Sequence, residues 1–278
     1  MFILVHKQSD YVIYGGITIF ASSASNLLNF INLRKIIILK PVGGYNLKRH
    51  MKLILIFFAM SVATTVYTNL DNVMLGFMKT NEDVGYYSAA VKIKNLAVSV
   101  VTSASTVLLP RASYYVDHGL MKEFYKIVKK TMNCIILMAV PTAVYFILFA
   151  KEGILLLSGE AFMGAVLPMQ IIMPTLIFMG ITNVLGIQMM IPLGMEKQVL
   201  YSEIAGAVVD LLINLCLIPK MASAGAAIGT LGAEIVVFIW QYTVLKTVAK
   251  NTFSDTRWIL IGIAVILGSV GAVWVKIL

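Results

Sequence analysis

This sequence is short of charge. Of its 278 residues only 13% are Asp, Glu, Lys or Arg, against roughly 25% in an ordinary soluble domain. Too few charges exist to cover a globule of this size in water. Cysteine is nearly absent: Cys134 and Cys216 are the two, both inside apolar runs, which excludes a disulfide framework. The three histidines, His6, His50 and His118, are too scattered to build a zinc motif. No basic n-region with a small-residue cleavage site opens the chain, so no secretory signal peptide is expected. There is no Ser/His/Asp set, no HExxH, no Gly-rich phosphate loop and no GxGD context. An enzyme, a resident metal and a cofactor are therefore not expected.

What is present is apolar. Hydrophobic residues make up 59% of the chain and the mean hydropathy is +0.89. A crossing helix needs about 20 apolar residues, and eight candidate spans can be read, bounded by charge, Gly or Pro. They cover residues 11–33, 53–76, 85–109, 131–150, 165–191, 199–219, 223–245 and 257–276. Pro141 in the fourth span and Pro168, Pro174, Gly180 and Gly186 in the fifth are expected to kink or hinge them. The expected fold class is an all-α integral membrane protein.

The net charge of +9 would suggest nucleic acid in a soluble protein. Here no basic cluster sits on a polar, aromatic-interleaved domain, so no nucleic-acid partner is expected. Cytoplasmic loops of membrane proteins collect Lys and Arg instead. With the N-terminus outside, the inner loops hold Arg34, Lys35, Lys40, Lys48, Arg49, Lys52, Arg111, Lys122, Lys126, Lys129, Lys130, Lys197, Lys246, Lys250 and Arg257. The outer segments hold Lys7, Lys79, Lys151, Lys220 and Lys276. This bias predicts an N-out, multi-pass topology. The segment Met121–Lys130 reads as an amphipathic helix on the inner surface, its lysines toward lipid headgroups.

Polar residues inside hydrocarbon are costly and tend to mark interior pathways. On a helical wheel they form stripes. The first span carries Ser22, Ser25, Asn26, Asn29 and Asn32 on one side; the second carries Thr64, Tyr67, Thr68, Asp71 and Asn72. The third carries Lys92, Asn95, Ser99, Thr102, Ser103 and Thr106, with Lys94 pointing the other way and expected to snorkel to headgroups. Glu203, Asp210 and Asn214 align in the sixth, and Thr230, Glu234 and Gln241 in the seventh. Each stripe can be helix-to-helix glue; five together point to a shared wet cavity. The expected cavity residues are Lys92, Asn95, Ser99, Thr102, Asn26, Asn29, Thr68, Asp71 and Asn72. Lys92 and Asp71, at similar depth on consecutive helices, either neutralise each other or leave Lys92 to attract an anion. Asp210 and Glu234 are candidates for coupling a proton or a cation such as sodium, or hydrogen-bond within the bundle. The small residues Gly225–Gly229 suit close helix packing.

Three stretches carry a family resemblance: Asp71 followed by Met74-Leu75-Gly76; Val84-Gly85-Tyr86-Tyr87-Ser88-Ala89-Ala90 leading to Lys92; and Pro110-Arg111-Ala112-Ser113. Leu217-Ile218-Pro219, Gly225-Ala226-Ala227-Ile228 and Glu234 add to them. Over roughly residues 50–245 the chain resembles polysaccharide flippases of the multidrug/oligosaccharidyl-lipid/polysaccharide exporter superfamily. The resemblance implies two six-helix lobes that rock between inward- and outward-open states. It implies transport of lipid-pyrophosphate-linked oligosaccharides across a prokaryotic cell membrane, with Lys92 near a cationic cavity position. On this reading residues 1–50 hold one helix of the first lobe and a basic loop. Residues 51–249 form the six-helix second lobe, and 250–278 a trailing helix. An amino-terminally truncated chain is thereby expected, completed by a missing first lobe or a second copy. The expected partners are membrane lipids and the lipid-linked oligosaccharide. A cation-coupled multidrug exporter and a transport-inactive membrane protein are the alternatives.

Overall fold

In the computed structural model, the described residues are 11–33, 47–106, 108–246, 262–263, 265–268 and 271. Every regular element among them is helical. The chain divides into two compact units, Met1–His50 and Met51–Leu278. The first contains α1, Tyr11–Leu33. Asn26 and Asn29 fall on α1, but their side chains lie outside the described residues. So does most of the expected trailing helix.

The second unit holds all but the first four residues of α2 (Leu47–Met78), with α3 (Asn81–Thr106), α4 (Leu109–Asp117), α5 (Met121–Leu148), α6 (Ala150–Ser158), α7 (Val166–Ile172), α8 (Thr175–Thr182) and α9 (Glu196–Val244). A 3₁₀ segment, Glu160–Ala165, precedes α7, and a π-helical segment, Asn183–Met190, follows α8. Short caps fix the turns. Thr80 and Asp83 form a reciprocal cap at the start of α3, with Thr80 Oγ1 donating to Asp83 Oδ2 at 2.9 Å and Asp83 N donating to Thr80 Oγ1 at 3.3 Å. Pro110 sits in the first turn of α4, where its missing N–H costs nothing.

Two described helices, α5 and α9, are each long and apolar enough to cross a membrane. The pair Glu160–Ile172 and Thr175–Met190, bent by 47°, makes a third candidate as a broken span. The bend falls at Met173–Pro174, one of the expected hinges. Pro141 behaves differently: α5 runs through it as one helix. Neighbouring helices in a membrane bundle satisfy the carbonyl that a proline frees. The amphipathic segment Met121–Lys130 is the first part of this same helix.

The 49 residues of α9 would span about 74 Å if straight, far more than a hydrocarbon core of about 30 Å. The helix folds back at Ala222, whose φ of 49° and ψ of −127° are non-helical. Its two arms are antiparallel, because Gly225 meets Leu217, Gly229 meets Asn214 and Asp210, and Gly206 meets Val237 and Ala233. A Cβ on Gly225 would lie 2.6 Å from Leu217 O; the small residues at 225–229 allow this approach. The sixth and seventh spans expected from sequence are thus the two arms of one hairpin.

Two apolar cores hold the unit together. One joins α3, α5 and α8 through Val101, Phe124, Met132, Ile135 and Leu176. The other joins α2, α3, α7 and the hairpin through Leu75, Tyr87, Met169, Ile172 and Ile218.

Candidate functional site

Between α2, α3 and the hairpin lies a buried polar cluster. Asp71, two turns before the end of α2, is 2% exposed, and Asp210 and Asn214, one turn apart on the first arm, are both at 0%. Thr230 on the second arm and Tyr87 on α3 complete it. Tyr87 donates its hydroxyl to Asp71 Oδ2 and lies 2.8 Å from Thr230 Oγ1. Thr230 Oγ1 is 2.9 Å from Asp71 Oδ2 and 3.1 Å from Ala226 O. Asn214 Nδ2 donates to Asp71 Oδ1 at 2.5 Å. Lys79 Nζ donates to Pro219 O at 2.7 Å. This ties the end of α2 to the end of the first arm, where a cation suits the exposed carbonyls.

Acceptors outnumber donors here. Asp210 Oδ1, Asp210 Oδ2 and Asn214 Oδ1 are buried without a hydrogen-bond donor. The space above Gly229 is taken by these oxygens: a Cβ there would stand 2.9 Å from Asp210 Oδ1. Two carboxylates, an amide oxygen, a hydroxyl and the Ala226 carbonyl therefore converge. Hard cations take oxygen ligands of this kind, and a proton on a carboxyl would supply a donor. No group of three His, Cys, Asp or Glu gathers for a metal among the described residues. Lys94 and Glu234, at 5% and 4% exposure, flank the cluster; Lys94 feels the charges of Glu234, Asp71 and Asp210.

The expected residues divide between two places. Asp71 and Asp210 meet in the buried cluster, with Glu234 beside it. Lys92, Asn95 and Ser99 lie on the exposed side of α3, Thr102 is half-buried beside them, and Thr68 is exposed on α2. Asn72 is half-buried and accepts from Ser88 Oγ at 3.1 Å. Lys92 does not neutralise Asp71, whose partners are Tyr87, Thr230 and Asn214. Lys94 corrects its expectation. Ala90, Lys94, Ala97 and Val101 form the packed stripe of α3, at the i, i+4, i+7, i+11 spacing of one helix face. Lys94 is thus held inside the bundle and cannot snorkel. The exposed hydroxyls largely bond their own helix: Thr68 to Thr64 O, Ser99 to Leu96 O and Ser103 to Val100 O, at 2.7–2.8 Å.

Sequence reading did not place Tyr87 and Thr230 with Asp71. Two spacings carry the signal: Asp210 and Asn214 at i, i+4, and Ala226 and Thr230 at i, i+4 on the returning arm. Only the hairpin brings the two pairs face to face.

A family model described as polysaccharide biosynthesis protein matches residues 17–167, more than half of the chain. The chain belongs to this family. A protein of Escherichia coli strain K12, provisionally named an O-antigen transporter, is 26% identical over 85% of this chain and 57% of its own length. An uncharacterised membrane protein of Methanocaldococcus jannaschii is 26% identical over 74% of this chain and 41% of its own. A similarly named Shigella dysenteriae protein is 24% identical over 68% of this chain and 47% of its own. The chain therefore spans about half the length of the curated relatives it matches. Among solved structures, the lipid II flippase MurJ in an inward closed conformation superposes with a TM-score of 0.65, at 16% identity, over 88% of this chain and 58% of that one. The fold is that of this all-α membrane protein.

Proposed function

We propose that this chain is part of a flippase that carries lipid-pyrophosphate-linked polysaccharide repeat units from the cytoplasmic to the outer leaflet of a prokaryotic cell membrane. The observation that carries the reading is the side of α3 bearing Lys92, Asn95, Ser99 and Ser103, all exposed. Charged and polar side chains are expensive against lipid, so this face belongs against water, a sugar or a partner lobe. Lys92 is the group that draws the anionic pyrophosphate. Asn95, Ser99, Thr102 and Thr68 offer hydrogen bonds to sugar hydroxyls. Family membership supports the polysaccharide class, and the names of the relatives point the same way.

The Asp71–Asp210 cluster supports coupling to a proton or sodium. It is sealed from the polar face of α3, so the ion acts by setting how α2, α3 and the hairpin pack. That packing is the element that moves in a rocking transporter. Residues 51–249 act as one lobe, with a first lobe or a second copy closing the cavity. The same ion site suits a cation-coupled drug exporter; resistance to cationic dyes separates the two.

The test is complementation of a bacterium lacking its own repeat-unit flippase, by this chain alone and with a first-lobe fragment. Surface polysaccharide is scored after membrane insertion is verified. Rescue in either arm, lost with Lys92→Ala, is expected. Export at wild-type level by Lys92→Ala removes Lys92 as the headgroup contact.

A further inference from the structure

Away from the ion cluster, a cleft of about 340 Å³ opens between α4 and the first half of α5. Its lining on α5 is Glu123, Lys126, Ile127, Lys130, Thr131 and Cys134, one continuous helix face at spacings of three and four. Leu108, Arg111 and Tyr115 face it from the α4 side. Arg111 is held in place: its Nε donates to Tyr115 Oη at 3.0 Å and its guanidinium stands 5.8 Å from the Tyr115 ring centroid. That leaves the paired Nη donors for a ligand. Three cations against Glu123 alone give the cleft a net positive charge.

Charge falls along α5 toward its apolar part. Glu123, Lys126 and Lys130 stand where α5 is polar, and Cys134 lies within its apolar span, about 16 Å beyond Glu123 and about 6 Å beyond Lys130 along the axis at 1.5 Å per residue. Leu108 and Cys134 form the apolar end, and Ile127 sits between Lys126 and Lys130 at the charged end. A free phosphate would fill only the charged end. A lipid fits both, with its phosphate among the cations and a chain along the apolar end.

We propose that this cleft binds an anionic phospholipid, its phosphodiester held by Arg111, Lys126 and Lys130 and an acyl chain laid along Leu108 and Cys134. The site packs α4 onto α5 and is distinct from the polar face of α3. It does not depend on what the protein transports.

Cys134 is a natural reporter, since replacing Cys216 leaves it the sole cysteine. The full chain carrying Cys216→Ser is placed in phosphatidylcholine vesicles with or without phosphatidylglycerol. Retained lipid is read by native mass spectrometry, and Cys134 alkylation by a membrane-permeant maleimide. We expect one phosphatidylglycerol retained at least about tenfold over phosphatidylcholine, with Cys134 alkylated several-fold more slowly when it is present. Arg111→Ala combined with Lys126→Ala and Lys130→Ala removes both effects. Glu123→Gln, which deletes the opposing charge, strengthens them and guards against a triple variant that fails to fold. Equal retention of the two lipids overturns the proposal, as does unchanged retention in the triple variant. Displacement of phosphatidylglycerol by equimolar polyprenyl pyrophosphate assigns the cleft to the transported substrate and also overturns it. Failure of polysaccharide export leaves these readouts untouched.

Discussion

At the scale of single residues, the arrangement around Asp71 is set by desolvation. A carboxylate at 2% exposure persists only when its lone pairs are filled. Tyr87, Thr230 and Asn214 fill them. Asp210, at the same site, has both oxygens without a donor, which makes it the residue whose state a bound ion changes most. Sodium that binds only the folded bundle stabilises it in proportion to occupancy, by roughly 2.7 kcal/mol at a hundredfold excess over Kd. Thermal unfolding in detergent should therefore shift upward when choline is replaced by sodium. Asp71→Asn and Asp210→Asn should each abolish the shift. If protons are the coupling ion, the wild-type protein shows no sodium shift, and export in the two variants no longer responds to external pH. A sodium shift of wild-type size in both variants would remove the cluster from ion coupling.

At the scale of elements, the hairpin is the decisive piece. Ala222 turns it with φ +49°, a region that costs an L-residue about 1–2 kcal/mol and glycine almost nothing. Ala222→Gly should raise stability by about 1 kcal/mol. Gly229→Ala should lower it by about 1–3 kcal/mol, because its Cβ would enter the space of Asp210 and Asn214. Chemical denaturation of the detergent-solubilised protein, read by circular dichroism, measures both signs. If Gly229→Ala proves neutral, the two arms do not approach as described. The π-helical segment is a second joint. Ser105 donates to Asn183, and Gln188 donates to Ser105 O, so the far end of α3 is laced to the irregular turns. Irregular helical turns of this kind often mark places where a helix moves.

At the scale of the whole molecule, charge asymmetry predicts how the helices are oriented. Arg111, Lys122, Lys126, Lys129 and Lys130 sit within the stretch from α4 to the start of α5, whereas Lys79 and Lys220 lie at the opposite ends of their helices. Reporter fusions after residue 119 should read cytoplasmic, and fusions after residue 80 periplasmic. The reverse pattern would invert the topology and place the lipid cleft in the outer leaflet. The exposed polar face of α3 asks for a covering surface, and the relatives, of whose length this chain covers 41–57%, have further chain that could supply one.

The membrane class, the helical period and the family were legible in the sequence because each is a local or summed property. Thirteen per cent charge, apolar runs of span length and the Asp71–Tyr87–Arg111 motifs need no knowledge of what touches what. The polar stripes were legible too, but not which side of each helix was packed. Lys92 and Lys94 are two residues apart on α3, and only the neighbours of that helix put one outside and the other inside. Asp71, Asp210 and Thr230 lie 139 and 20 residues apart, yet share one site. Helix periodicity relates residues within one helix; the rotation of each helix, and the turn at Ala222 that opposes two of them, are decided by packing.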